Sequence, residues 1–181
     1  MRCYFRAMLA ATAGLWPVAG AHASDLTVSV VNVRSNAGEL LVGVYATPQA
    51  YRSGIADSAT KSALLPSAGR LLGAALRARA GSQSVTFGNV PAGRYAVVVI
   101  HDENDNGLLD ENVLGVPSEG YGFSNNAYGF LAAPSFEAAA VTIARTDSHV
   151  VSSITLSYPH VESKEERQEY QGLVGSSQPP P

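Results

Sequence analysis

Cysteine is all but missing from this chain: Cys3 is the single one in 181 residues. It falls in a segment read below as a leader. The mature chain is therefore expected to have no disulfide and no thiol chemistry, and to hold its fold by burying a core. Long hydrophobic runs are missing as well, since the apolar stretch Ala7–Val18 is too short to span a bilayer. Motifs of the common enzyme classes are absent: no G-x-S-x-G, no phosphate-binding P-loop, no H-E-x-x-H and no dinucleotide fingerprint. Finally, no Lys or Arg lies between Arg94 and Arg145. That interval holds seven acids: Asp102, Glu103, Asp105, Asp110, Glu111, Glu119 and Glu137. So many like charges repel one another unless water separates them or a cation neutralises them.

What is present at the ends points to export. Arg2 and Arg6 precede Ala7–Val18, and Ala21-His22-Ala23 has the small-x-small form of a cleavage site. Residues 1–23 therefore read as a signal peptide, giving a periplasmic or extracellular protein. Without Arg2 and Arg6 the balance is 10 basic against 15 acidic residues, a net charge of −5. That sign disfavours nucleic acid as a partner. At the other end, residues 160–181 are charged, then rich in Ser, Gln and Pro, and read as a disordered polar tail. Residues 25–159 remain as one domain.

Within that domain the short-period patterns are those of strands. Leu26, Val28 and Val30 alternate with Thr27, Ser29 and Val31. Ser35–Gly38 is a turn, and Glu39–Ala46 returns as the second arm of a hairpin. Tyr51, Ile55 and Ala59 have helical spacing, which allows a short helix. Leu71–Ala80 reads as a strand, as do Ser84–Phe87, Ala138–Ala144 and Val150–Tyr158. Asn89–Tyr95 is a tight turn in which Gly93 is expected to take positive φ. It feeds Tyr95–Ile100, a continuous apolar run that suits a central strand buried on both faces. The fold class is all-β: a single antiparallel β-sandwich of about seven strands, with a long acidic loop after the central strand.

That acidic loop is the most informative segment. Asp102, Asn104 and Asn106 place oxygen donors on every second position, Gly107 follows, and Asp110 comes three residues later. This is most of a D-x-[DN]-x-[DN]-G calcium loop, with the Leu108 carbonyl as a further donor. Val113 stands where a bidentate acid is required, so Glu111 or Glu119 would have to replace it. Calcium is the cofactor expected, held by Asp102, Asn104, Asn106, Leu108, Asp110 and Glu111 or Glu119. The same residues also make ordinary Asx turns without metal.

The rest of the loop alternates small residues with aromatics. Tyr121, Phe123, Asn125, Asn126 and Tyr128 could form a surface for a protein or glycan partner, or the aromatics could fold inward as a plug. No catalytic residue is assigned. An alternative reading is a small secreted metal-assisted hydrolase using His101 with Asp102, Glu103 or Glu119.

Two segments carry a resemblance. Phe87-Gly88-Asn89-Val90-Pro91-Ala92-Gly93-Arg94-Tyr95-Ala96-Val97 is similar to the corner of prealbumin-like β-sandwich modules such as carboxypeptidase regulatory-type domains. His101–Asp110, then Leu114–Asn126, then Pro134–Ala139 closely resemble the bacterial secreted family of domain of unknown function 2141 (DUF2141). That resemblance runs through about Leu26–Leu156, with Asp105 as an added charge. It implies an exported β domain and brings no activity with it.

Overall fold

The computed structural model describes residues 23–58, 72–129 and 132–159. The expected polar tail and all of the expected leader but Ala23, which begins the first strand, lie outside these residues. The elements are β1 (Ala23–Val33), β2 (Glu39–Tyr45), α1 (Pro48–Ser58), β3 (Leu72–Arg77), β4 (Gly81–Pro91), β5 (Gly93–Asp102), β6 (Gly120–Phe123), α2 (Phe136–Ala139), β7 (Val141–Ile143) and β8 (His149–Thr155). One sheet has the order β4-β1-β8; the other has the order β3-β2-β5-β6, with β7 also paired to β5. This is the expected all-β sandwich, with eight strands where about seven were read. Two pairings depart from expectation: β1 and β2 do not pair as a hairpin, because the turn between them carries the chain from one sheet to the other, and β8 runs parallel to β1, from Asp25 beside His149 to Val31 beside Thr155.

Alternation along β1 places Leu26, Val28 and Val30 in the core. The alternation breaks at Asn32, which takes φ 64°. The register against β4 shifts between Val30 and Val33, so Val33 and not Asn32 turns inward. A bulge re-aims side chains in just this way. Strict alternation from Leu26 would instead turn Asn32 inward and Val33 away from the core.

β5 is buried on both faces, as its apolar run predicts. Tyr95, Val97 and Val99 join Leu26, Val28, Leu40, Val42, Val44, Ile154 and Leu156 between the sheets. Ala96, Val98 and Ile100 face a second layer formed by Tyr51 of α1, Phe123, and Phe136 and Ala139 of α2. The helical spacing of Tyr51 and Ile55 is therefore real. It seats α1 on the outer face of the larger sheet.

The corner before β5 differs from expectation in its mechanism. Gly93 does not take positive φ; Asn89 does, at 58°. Tyr95 folds back and its hydroxyl donates to the Pro91 carbonyl at 2.7 Å. A Cβ on Gly93 would stand 3.0 Å from that hydroxyl. Gly93 therefore makes room for a tyrosine corner and supplies no special backbone angle.

Candidate functional site

β5 ends by delivering His101 and Asp102, both buried, to one end of the sandwich. The loop that follows is built by side chains catching nearby backbone N–H groups. Asp102 Oδ1 accepts from Asn106 N at 3.1 Å and Oδ2 from Gly107 N at 2.7 Å. Asn104 Oδ1 also accepts from Asn106 N at 3.1 Å, and Asn106 Oδ1 accepts from Leu108 N at 2.8 Å. These are nested Asx turns. Asp105 and Gly107 close them with φ of 59° and 75°. Leu109 turns inward against the outer-face core, and its N–H donates to the Ser58 carbonyl at 2.8 Å.

Two further carboxylates stitch the loop together. Asp110 accepts from the amide N–H groups of Asn104 at 2.6 Å and Asn106 at 3.0 Å. Glu119, from just before β6, is buried and spans the loop's ends. It accepts from Glu103 N at 2.8 Å and Asp110 N at 3.1 Å. Burial pushes the Glu119 carboxyl above its ordinary value, and the nearby Asp102 and Asp110 add to that; its two N–H partners oppose it. Glu111 stands apart, exposed, paired through its backbone with Pro117. Leu108 is half-buried.

Of the residues expected as a calcium set, the side chains of Asp102, Asn104, Asn106, Asp110 and Glu119 make hydrogen bonds within this loop, and that of Glu111 is not among them. As they stand, the amide nitrogens of Asn104 and Asn106 face Asp110. Among the described residues, no group of three or more His, Cys, Asp or Glu side chains is placed to hold a metal ion.

The acidic interval is less uncompensated in space than in sequence. Arg34, from the turn after β1, donates to both Glu103 carboxylate oxygens, from Nε to Oε1 and from Nη2 to Oε2. Arg77 of β3 pairs with Asp105 at 2.9 Å. The Arg34 hydrogen bond holds the Glu103 carboxyl below its ordinary range, aided by Ser35.

His101 lies behind this pair. Nε2 stands 2.9 Å from the Ala37 carbonyl, which can only accept, so that nitrogen carries a proton. Nδ1 stands 2.7 Å from the Tyr158 hydroxyl, which itself accepts from Arg34 N at 3.1 Å. The ring is fully buried and both nitrogens are occupied. Arg34 also covers the Tyr158 ring at 4.4 Å. Arg34 and Tyr158 are the site residues that the sequence did not flag. They lie 67 and 57 positions from His101, and no local pattern joins them to it.

The Gly/aromatic segment mostly folds inward. Phe123 is buried in the outer-face core and Tyr121 packs beside it at 5.9 Å between ring centres. Asn125 and Asn126, both at positive φ, hold the backbone of neighbouring elements: Asn125 donates to the Ala138 and Ala140 carbonyls, and Asn126 accepts from Thr155 N. Tyr128 is exposed. Gly120 and Gly122 lack side chains where the Tyr158 ring and Ile154 press against them.

The chain belongs to the family described as an uncharacterized protein conserved in bacteria, DUF2141, whose sequence pattern matches residues 28–151. That span contains the sandwich from β1 into β8 and the whole acidic loop. No curated protein and no solved structure matches the chain.

Proposed function

We propose that this protein is an exported, non-enzymatic β-sandwich module whose Asp102–Asp110 loop is stapled by calcium. The observation that carries the reading is the gathering of Asp102, Asn104, Asn106, Asp110 and Glu119 onto one turn by mutual hydrogen bonds. The donors fit a hard cation, because all are oxygens and Gly107 provides the sharp turn. The amide N–H groups now on Asp110 supply, in weaker form, the positive charge that an ion would bring. Asp102, Asn104, Asn106, Asp110 and Glu119, with the Leu108 carbonyl, would hold the ion, which would lock the loop between β5 and β6. Export rests on the residue 1–23 pattern alone.

Burial of His101 supports a non-catalytic role. A general base must reach a substrate proton, and both ring nitrogens here are committed to Ala37 and Tyr158. The hydrolase alternative has no observation in its favour. Of the candidate partner residues, Asn125, Asn126 and Tyr128 are exposed and Tyr121 is partly so, whereas Phe123 is buried.

Calorimetric titration of EDTA-stripped protein with calcium tests the staple. Saturable binding that Asp110→Asn removes, with magnesium weaker, is the expected outcome. Flat heats at millimolar calcium would overturn it. A panel of esterase, glycosidase and phosphatase substrates tests the rest: no turnover is expected. Turnover lost in His101→Gln at unchanged melting temperature would restore the hydrolase.

A further inference from the structure

Beyond the acidic turn the chain makes a small hairpin whose tip is apolar and turned outward. Val113 is 102% exposed, Leu114 81% and Val116 39%. Single exposed aliphatics are common, but three within four residues on a projecting turn are not. The tip is also built to stay there. Asn112 N donates to the Val116 carbonyl at 2.8 Å, and Gly115 N to the Asn112 carbonyl at 2.9 Å. The Asn112 side chain accepts from Leu114 N at 2.9 Å and Val116 N at 3.1 Å. Gly115 takes φ 72°, and the base is closed by Glu111 against Pro117 and by Ser118 N on the Asp110 carbonyl at 2.8 Å. With these backbone groups engaged internally, the tip offers its surroundings mainly aliphatic side chains. A turn whose only task was to reverse the chain would more readily use polar residues.

We propose that Val113, Leu114 and Val116 form a docking knob for a protein that offers an apolar pocket rimmed by Lys and Arg. The rim follows from charge. Glu103 and Asp105 are neutralised by Arg34 and Arg77, whereas Glu111, at the foot of the knob, is exposed and makes no ion pair among the described residues. A bilayer with anionic headgroups would repel the acidic base, and the tip carries no Trp, Tyr, Lys or Arg to anchor it in a membrane interface. So small a contact suits a transient complex whose strength falls with salt. The knob is independent of whether the neighbouring loop holds calcium.

The test places a photo-crosslinking phenylalanine derivative at Leu114 of the full chain, with Val151 of β8, 59% exposed, as the control position. Each variant is irradiated in extract of the bacterium that makes the protein, and the cross-linked peptide is sequenced. The proposal expects one main adduct at position 114, absent at 151, on a peptide whose apolar residues lie among Lys or Arg. Val113→Asp should lower its yield by about tenfold, the size of losing a central anchor, and Glu111→Lys, a change at the rim, should lower it by a smaller factor. About 0.5 M salt should also lower it. Both variants should melt at the wild-type temperature, since neither side chain is buried.

Any of the following overturns the proposal. There is no adduct. The adduct is equal at position 151, or its yield is unchanged in Val113→Asp. The cross-link falls within this chain or on a second copy of it. The captured peptide lacks basic residues. The wild type, but not Val113→Asp, co-sediments with phosphatidylcholine vesicles, which would make the knob a membrane contact.

Discussion

His101 shows how a residue suited to catalysis is spent on structure. It bridges Tyr158, beyond the end of β8, and Ala37, before β2, and so ties the two sheets at the loop end. His101→Ala should cost about 1–3 kcal/mol for the buried hydrogen bonds alone, with the emptied volume adding to that. Tyr158→Phe should cost about 1 kcal/mol. Urea midpoints of the two variants check the order; equal midpoints would mean that the ring's packing and its bond to Ala37 add nothing beyond the Tyr158 hydrogen bond. The Arg34–Glu103 pair makes a pH prediction. The folded-state value of Glu103 lies below its unfolded value, so its contribution is present above the unfolded value and is lost as pH falls through the folded one. Wild type should therefore lose more stability than Arg34→Gln between about pH 5 and about pH 3. Parallel melting curves would contradict this. Because Arg34 is half exposed, the difference will be modest.

At the scale of elements, the strands were legible wherever apolar residues alternated or ran unbroken. Leu26–Val30 and Tyr95–Ile100 carry their burial in their composition, and Tyr51 with Ile55 carries the seat of α1. What the sequence could not give is pairing that depends on remote partners. Nothing in His149–Thr155 says that it lies parallel to β1, and nothing near Arg34 says that it meets Glu103. Turn chemistry was also misplaced: positive φ was expected at Gly93 and is found at Asn89. The acidic loop was the reverse case. Its Asx turns are local, so their spacing was readable, and only the return of Glu119 to the loop's two ends needed the fold.

A glycine with a packing duty was likewise hidden. Gly38 takes φ 66°, and a Cβ there would run into the Asp102 carbonyl and Glu103 Cα. Gly38→Ala should cost about 2–5 kcal/mol, from left-handed strain plus forced backbone movement. Gly81, at φ 98° with nothing near its missing Cβ, should cost about 1–2 kcal/mol as Ala. Equal urea midpoints for the two would show that the β2–β5 corner yields.

Taken whole, the molecule is a two-sheet frame with a second apolar layer under α1 and α2. Its chemistry-bearing residues are concentrated in one excursion, between β5 and β6. The frame explains why that excursion can be elaborate: Asp102 and Glu119 are anchored in buried positions, and Leu109 pins the middle. If calcium staples the loop, ligand binding to the folded chain alone must raise its stability, by about 2.7 kcal/mol at a hundredfold excess over the dissociation constant. The decisive measurement is the melting temperature of EDTA-stripped protein across a calcium titration, with Asp110→Asn alongside. A dose-dependent rise in the wild type, absent in Asp110→Asn and smaller with magnesium, is the expected result. An unchanged melting temperature up to millimolar calcium, or an equal rise in Asp110→Asn, would contradict the staple and leave the loop a self-satisfied set of Asx turns.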